Sequence, residues 1–462
     1  MVELEKTMFR EYDIRGKVKE GELNQESIRF IGMGFATMLL SRGVSSCIVG
    51  FDARSYSEEL RNALVEGMTS TGVNVIDIGM VTTPMAYFAQ HFLKVKGVAM
   101  ITASHNPNGW SGLKLGFEPS STLVPAEIKE LYKIIQDESF AKGKGKVSKQ
   151  DVLDAYIKDL SSRVKINSKI KAVVNARHGI GGKVLPKVLK AAGVEVVELY
   201  CNIDFNYPHG DANPSIDAMM EELGKRVVAE QAHLGLAIDA DGDRIGMTDE
   251  NGKNIYPDRI LILLARNLLK ESKGAKIVFD VKSTQALEED IKAHGGIPVM
   301  WKTGHSYIKQ KAHEIGAALA GERSGHIFFM KGYYGFDDAC FASLKLLEYI
   351  ANENKPVSEI VDSIPKYFTS PVMHAYCPDE VKYKVMEKVI AKFKKKFDKV
   401  IDINGARVVF DDGWGLVRPS SNLPVFVMVF EAKSRERLKE IEQLFRKELD
   451  EFPEISKKWE NG

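Results

Sequence analysis

The sequence predicts an α/β protein of several domains: three similar α/β domains and a smaller α+β domain at the C-terminal end. Three observations predict it. At 462 residues the chain is longer than one hydrophobic core serves, which calls for three or four domains. A strand–helix–strand unit recurs three times along it. Past residue 371 that unit gives way to longer apolar strands and a closing helix.

The elements follow in order. Residues 9–16 read Phe-Arg-Glu-Tyr-Asp-Ile-Arg-Gly, an extended charged segment. Arg10, Tyr12 and Arg15 suit a phosphate, since guanidinium groups fork onto its oxygens, although alone the segment reads better as a solvated arm. A helix is expected over 25–41, capped by Asn24 and closed by Gly43. The recurring unit starts at Ser46-Cys-Ile-Val-Gly-Phe-Asp52-Ala-Arg54, with a helix from Ser57 to Gly72 and a strand from Val73. Its second copy starts at Ala172-Val-Val-Asn175-Ala-Arg177 and turns at Gly193. Its third starts at Lys276-Ile-Val-Phe-Asp280-Val-Lys282 and turns at Gly296. Each first strand ends in an Asx-x-basic triplet. Repetition argues for common structure first and only hints at a shared role for Arg54, Arg177 and Lys282. Strands are also expected around Val408, Gly415 and Val425, with a helix over 434–448. Turn-rich breaks give the domains 1–148, 149–252, 253–367 and 368–462, the last able to move as a unit.

Composition excludes several partners. The chain is 44% apolar and 27% charged, as a soluble globular protein is, and its net charge of +1 gives no reason to expect nucleic acid or an anionic membrane. No apolar run approaches the length of a membrane span, and Met1-Val2-Glu3-Leu4-Glu5 lacks a signal peptide's regions. Cys47, Cys201, Cys340 and Cys377 stand far apart, and read as reduced thiols of a cytoplasmic protein.

Chemistry gathers in a few stretches. The apolar run Gly97-Val-Ala-Met-Ile101 reads as a buried strand, and Thr102-Ala-Ser104-His105-Asn-Pro107 follows it. Side chains at the carboxyl edge of an α/β sheet are where ligands sit, so Ser104 is exposed there as a hydroxyl, with His105 beside it and Lys114 farther on. An isolated Ser-His-Asn-Pro reads better as a junction whose serine bonds backbone groups. Other stretches tip the balance. After the strand Leu234–Ile238 comes Asp239-Ala-Asp241-Gly-Asp243-Arg244. Three carboxylates at alternate loop positions converge on a hard cation, Mg²⁺ or Ca²⁺, and without a cation or an arginine they repel. Glu250 completes an EF-hand-like spacing, but Arg244 stands where that loop needs glycine, and a strand precedes it instead of a helix. Trp301-Lys302-Thr-Gly-His305-Ser306 offers a base and an imidazole at a sheet edge. Gly321-Glu322-Arg-Ser324-Gly-His326 places Glu and Ser on one side of an extended chain, apt for vicinal sugar hydroxyls. Arg418-Pro-Ser420-Ser421-Asn422-Leu-Pro424 has the make-up of a phosphate nest, or of an ordinary polar loop.

Taken together, these stretches resemble the α-D-phosphohexomutase superfamily, specifically its phosphomannomutase/phosphoglucomutase branch. The motifs stand in that family's order from residue 9 to 424. The resemblance implies three similar α/β domains with mixed sheets and a smaller α+β domain, arranged around a central cleft. It implies that Ser104 carries a phosphoryl group, and that Asp239, Asp241 and Asp243, with Ser104, hold Mg²⁺. Lys114 and His305 become acid/base or positioning groups, with His105 and Arg15 beside the transferred group. Glu322, Ser324 and His326 would grip the sugar. Arg418, Ser420, Ser421 and Asn422 would clamp the non-reacting phosphate. Tyr12, Arg244, Lys282 and Lys302 would line the cleft. The chain departs from the family at Arg323, where relatives often have an uncharged residue, and in the Ser-Ser-Asn-Leu-Pro loop. Arg323 is the one candidate to contact the sugar's 2-position, but it reads better as a surface arginine pointing to solvent.

The implied activity is interconversion of hexose 1-phosphate and hexose 6-phosphate. It would run through a phosphoserine enzyme and a hexose 1,6-bisphosphate that is both intermediate and activator. Both mannose and glucose phosphates are expected as substrates, because no motif reads the 2-hydroxyl. A phosphoglucosamine mutase and a Mg²⁺-dependent sugar phosphatase are the alternatives; a non-catalytic binder is disfavoured. The expected partners are small sugar phosphates, with no nucleic acid or membrane, in a cytoplasmic monomer or small homo-oligomer.

Overall fold

All three strand–helix–strand units form in the computed structural model, which describes residues 4–420 and 423–461. The first is Ser46–Phe51, Ser57–Ser70 and Asn74–Met80. The second is Lys171–Asn175, Gly181–Ala191 and Glu195–Leu199. The third is Lys276–Asp280, Gln285–Ala293 and Ile297–Trp301. In each the two strands pair in parallel, which is what a helical crossover permits. Their leading strands are buried along nearly their whole length, matching the continuous apolar runs that announced them. Ser421 and Asn422 lie outside the described residues.

The chain divides into two compact units, Met1–Leu264 with Ser324–Ile360, and Ala265–Arg323 with Val361–Gly462. The first unit contains two mixed sheets. One has six strands in the order Ile14–Lys17, Trp110–Gly116, Gly97–Ile101, Ser46–Phe51, Asn74–Met80, Val147–Lys149. Gly97–Ile101 runs parallel to Ser46–Phe51 and antiparallel to Trp110–Gly116, so its carboxyl end is flanked on both sides. Helix Gln25–Ser41 starts at the predicted cap: the Ser27 N–H donates to Asn24 Oδ1 and the Asn24 N–H to Ser27 Oγ, both at 2.9 Å. It crosses helix Ser57–Ser70 so closely that a Cβ on Gly67 would lie 2.1 Å from the Arg29 carbonyl oxygen. Ile28, Ile31, Phe35, Leu60 and Leu64 join Ala99, Ile101 and Leu113 in one core. Burial of each large side chain contributes about 1.5–3 kcal/mol.

The other sheet of this unit runs Asn254–Ile255, Ile245–Thr248, Leu234–Ile238, Lys171–Asn175, Glu195–Leu199. Leu234–Ile238 and Ile245–Thr248 pair antiparallel with Ile238 opposite Ile245, which makes Asp239–Arg244 the hairpin loop between them.

In the second unit Lys276–Asp280 is flanked in parallel by Ile297–Trp301 and Leu319–Gly321. The C-terminal sheet is antiparallel throughout, in the order Val400–Ile401, Ala406–Phe410, Gly413–Pro419, Val425–Ala432, Met373–Tyr376, Trp459–Asn461. Phe393, Phe426, Phe430 and Phe445 fill its core under helices Asp379–Lys396 and Arg435–Leu449. It is joined to the third repeat from inside. Arg407, fully buried, stacks on Trp414 at 3.7 Å and donates to the Val281 carbonyl at 2.6 Å and the Ser283 carbonyl at 3.0 Å. Glu431 accepts from Gln285 N–H and from Trp414 Nε1, both at 2.8 Å.

The expected fold class therefore stands: three α/β/α domains and a C-terminal domain on an antiparallel sheet. Among the described residues no helix is long and apolar enough to cross a membrane. All four cysteines are buried, free thiols.

Candidate active site

In the first unit, the residues at the end of Gly97–Ile101 fold into a turn that sets Ser104 at φ +53, a left-handed conformation that costs a non-glycine residue of order 1–3 kcal/mol. Bonds on either side hold it there. The Ser104 N–H donates to Thr102 Oγ1 at 2.8 Å, and Arg54 donates to the Ser104 carbonyl at 3.0 Å and the Asn106 carbonyl at 2.8 Å. The other guanidinium nitrogen of Arg54 pairs with buried Asp52. Ser104 is buried and not exposed as expected, because the bonds from Thr102 and Arg54 turn it inward, and its Oγ lies 3.1 Å from His105 Nδ1. Burial, then the charges of Arg244, Arg15, His326 and Lys114, hold the His105 imidazole well below its usual range, so it is neutral.

Strand Trp110–Gly116 carries Lys114 opposite Met100 and brings its ammonium to the hairpin loop, 2.8 Å from Asp241 Oδ2 and 2.5 Å from Asp243 Oδ2. Burial opposes that charge, but Asp241 and Asp243 more than offset it and hold the lysine well above its usual range. Lys114 is thus a fixed cation. Arg15 donates to Asp13 Oδ2 at 2.7 Å and Asn106 Oδ1 at 2.9 Å, with Tyr12 half-buried nearby.

Asp239, Asp241 and Asp243 are fully buried and offer oxygens within 4.8 Å of one another. Each commits one oxygen to the protein. Asp239 Oδ1 accepts the N–H groups of Gly242, Asp243 and Arg244 at 3.0, 3.0 and 3.1 Å, which shapes the loop. Asp241 Oδ2 accepts from Thr83 Oγ1 at 2.7 Å and Thr102 Oγ1 at 3.1 Å as well as from Lys114. The remaining oxygens, Asp239 Oδ2, Asp241 Oδ1 and Asp243 Oδ1, have no hydrogen-bond partner among the described residues. Burial, then Asp243 and Asp241, push the Asp239 carboxyl well above its usual range. Three buried carboxylates that converge and leave one oxygen each unmatched fit a hard divalent cation.

Gly325, at φ +103, lets its strand come so near that a Cβ there would lie 2.7 Å from the Ile245 carbonyl oxygen. His326 consequently sits beside the acidic loop: its Nε2 accepts from Arg244 Nε at 3.0 Å, and its Nδ1 lies 2.8 Å from Asp337 and 3.6 Å from Asp243. Ser324 is half-buried two residues before it.

In the second unit, Asp280 is the hub. It accepts from Ser283 Oγ at 2.7 Å, Thr303 Oγ1 at 3.0 Å and Arg323 N–H at 3.1 Å, with Lys282 Nζ at 3.7 Å. Glu322, buried, accepts the Gly304 N–H at 2.5 Å and so binds its loop to the start of helix His305–Ile315, where His305 is buried. Lys302 is exposed. Arg323 is 9% exposed, so it does not point to solvent as expected; the bond from its own N–H to Asp280 turns the loop inward. Arg418 and Ser420 are buried at the end of Gly413–Pro419.

Several residues of the site escaped sequence reasoning. Nothing local marks a role for Thr102 in the stretch that follows Gly97–Ile101. Arg54 stands out in the sequence only as one of three repeated basic residues. Thr83 and Asp337 gave no local signal, since they meet the acidic loop from distant parts of the chain.

Four family models match in succession: the phosphoglucomutase/phosphomannomutase alpha/beta/alpha domains I, II and III over residues 6–142, 154–252 and 256–368, and the C-terminal domain over 380–448. A phosphomannomutase/phosphoglucomutase of Pseudomonas aeruginosa is 37% identical over 443 residues, covering 96% of this chain and 95% of that protein. The crystal structure of a phosphoglucomutase/phosphomannomutase family protein from Burkholderia thailandensis superposes with a TM-score of 0.92 at 36% identity, over 97% of this chain and 98% of that one. The N-acetylphosphoglucosamine mutase of Aspergillus fumigatus, solved with GlcNAc-6P and magnesium, shares the fold at 15% identity and a TM-score of 0.56, over 90% of this chain and 79% of that one.

Proposed function

Because the chain belongs to the phosphoglucomutase/phosphomannomutase family of enzymes, we propose that it interconverts the 1- and 6-phosphates of both glucose and mannose through phosphorylated Ser104 and a hexose 1,6-bisphosphate. One observation carries the reading. The Thr102 hydroxyl accepts the Ser104 N–H at 2.8 Å and donates to Asp241 at 3.1 Å, so the serine loop and the acidic loop are built as one piece.

Phosphoryl transfer needs positioning and charge neutralisation more than covalent help. Lys114 and Arg15 are fixed cations at the serine loop. Asp239, Asp241, Asp243 and the phosphoryl group on Ser104 would hold Mg²⁺, which would offset further charge on that group. In the forward step the Ser104 O–P bond breaks as a P–O bond to the sugar hydroxyl forms. The proton lost by that hydroxyl ends on the serine oxygen, and neutral His105 beside it is able to relay it. The bisphosphate then turns and returns its other phosphate to Ser104. Glu322, Ser324 and His326 are assigned to the sugar, His305 to an acid/base or positioning role, and Arg418, Ser420, Ser421 and Asn422 to the phosphate that does not react. Tyr12, Arg244, Lys282 and Lys302 complete the binding set. The domain limits 1–148, 149–252, 253–367 and 368–462 belong to this reading. The four free, buried thiols support a cytoplasmic home.

The test is steady-state turnover of glucose 1-phosphate and mannose 1-phosphate, primed with bisphosphate, with and without a chelator, for the native chain and Ser104→Ala. The native enzyme should convert both sugars with kcat/KM within about tenfold, or ~1.4 kcal/mol. Chelation and Ser104→Ala should each abolish turnover, and phosphopeptide mapping should place phosphate on Ser104. Undiminished turnover in the alanine variant would sink the phosphoserine route, and release of free phosphate without isomerisation would make the protein a phosphatase.

A further inference from the structure

Helix Asp379–Lys396 sends one lysine into the interior of the C-terminal domain: Lys382 is 3% exposed. An ammonium has three protons, and three oxygens take them here. They are Asp379 Oδ1 at 2.5 Å, the Ser420 carbonyl at 2.5 Å and the Leu423 carbonyl at 2.9 Å. The two carbonyls belong to the two sides of the connection between strands Gly413–Pro419 and Val425–Ala432. The same connection is closed at its neck by Ser420 N–H to the Val425 carbonyl at 2.9 Å and by Leu423 N–H to Ser420 Oγ at 3.1 Å.

Charge in this region is lopsided. Asp379, the carboxylate paired with Lys382, is 52% exposed on its side chain. On the strand Met373–Tyr376, half-buried His374 has its imidazole drawn below the usual range by burial and then by the charges of Lys282 and Arg418. A buried ammonium is costly to desolvate; here Asp379 offsets its charge and the two carbonyls fix where its other protons point.

We propose that Lys382 is a positioning residue for the phosphate-holding connection. It pins the carbonyls of Ser420 and Leu423 from beneath, so that Arg418 and Ser420 meet the non-reacting phosphate of the hexose phosphate in a fixed geometry. This rests on the reading of Arg418 and Ser420 as that phosphate's clamp. Lys382 touches no substrate; it acts through the backbone it holds.

The experiment compares KM and kcat for glucose 1-phosphate in the native enzyme, Arg418→Ala and Lys382→Met, with melting temperatures alongside. Methionine keeps the apolar stem and removes the three donors. Lys382→Gln, which retains donors for the carbonyls, is the partial-rescue variant and replaces Lys382→Met if that chain melts below the assay temperature. Expected are a KM raised at least tenfold in Arg418→Ala and in Lys382→Met, kcat within about threefold of native in Lys382→Met, and an intermediate KM in Lys382→Gln. A raised KM in Arg418→Ala with a native KM in Lys382→Met overturns the proposal and leaves the clamp standing. A native KM in Arg418→Ala overturns the clamp and the proposal with it. Loss of kcat at unchanged KM in Lys382→Met reduces the lysine to a purely structural role and also overturns it.

Discussion

The three repeats end their first strands alike, yet the first and third use that end differently from the second. In the first, Asp52 Oδ2 accepts the Ala103 N–H at 3.3 Å and Oδ1 accepts the Ser57 hydroxyl at 2.6 Å. In the third, Asp280 accepts the Arg323 N–H at 3.1 Å and the Ser283 hydroxyl at 2.7 Å. Each aspartate thus holds the loop that follows the neighbouring parallel strand, Gly97–Ile101 in one case and Leu319–Gly321 in the other. Those are the serine loop and the proposed sugar loop. Asn175 in the second repeat turns to its own surroundings, accepting the Arg177 N–H at 3.1 Å and donating to the Met219 carbonyl at 3.3 Å. The loop after its neighbouring strand takes no bond from Asn175: Asp239 folds it with three bonds to its own backbone, and Thr83, Thr102 and Lys114 hold it at Asp241. A charged anchor therefore appears where a loop is held from the next strand, and an amide suffices where the loop is folded by its own aspartate and held from elsewhere.

The basic residue two positions on has diverged further. Arg54 spans to the carbonyls of Ser104 and Asn106, whereas Arg177 turns to Glu222 at 2.8 Å and the Asp211 carbonyl at 3.4 Å. The largest effect is accordingly expected from Arg54→Gln. It releases the strained serine turn and strands the Asp52 charge, which is fully buried. We expect kcat to fall about a hundredfold or more, roughly 2.7 kcal/mol of transition-state stabilisation, with less phosphate mapped to Ser104. A kcat within fivefold of native would show that Arg54 is only part of the common plan.

A smaller effect separates the first repeat from the third. Asp280→Asn keeps an oxygen for the Arg323 N–H but loses the charge facing Lys282. KM for glucose 1-phosphate should rise about tenfold with kcat nearly native, because the change touches the loop assigned to the sugar and not the serine proposed to carry the phosphoryl group. Asp52→Asn should do the reverse, lowering kcat, since the Arg54 charge loses its buried partner. If both variants moved the same parameter, the two anchors would not divide the work as the geometry implies.

This contrast also marks how far the sequence was legible. The strands and helices of the repeats followed from apolar runs ending in polar turns, and the helix over 25–41 from its cap, because those signals are local. The acidic loop was legible for the same reason: Asp239, Asp241 and Asp243 are near neighbours in the chain. Asp52, Thr83 and Thr102 are not near what they hold. Thr83 reaches Asp241 and Asp52 reaches Ala103 only through the sheet order, which no local pattern states. Arg323 was misread for that reason too, since the bond that turns its loop inward comes from Asp280. The triplet Asx-x-basic was visible three times, but which copy serves chemistry depends on what the next strand carries.

The smallest effect should come from the second repeat, and it is the most exacting test of the comparison. Arg177 is buried, but its carboxylate partner Glu222 is 37% exposed on its side chain, so solvent screens the pair. Such a pair contributes about 0.2–1 kcal/mol, and the neighbouring carbonyl of Asp211 can turn to water when the guanidinium is gone. Arg177→Gln should therefore lower the melting temperature by only about 1–3 °C. Its kcat/KM for either sugar phosphate should stay within about twofold of native, because the bonds of Arg177 go to Asn175, Glu222 and Asp211 and not to the serine loop or the acidic loop. Paired thermal melts and steady-state kinetics on the same preparation decide it. A loss of tenfold or more in kcat/KM at a nearly native melting temperature would mean that the basic residue carries function in every repeat, and the distinction between Arg54 and Arg177 would fall.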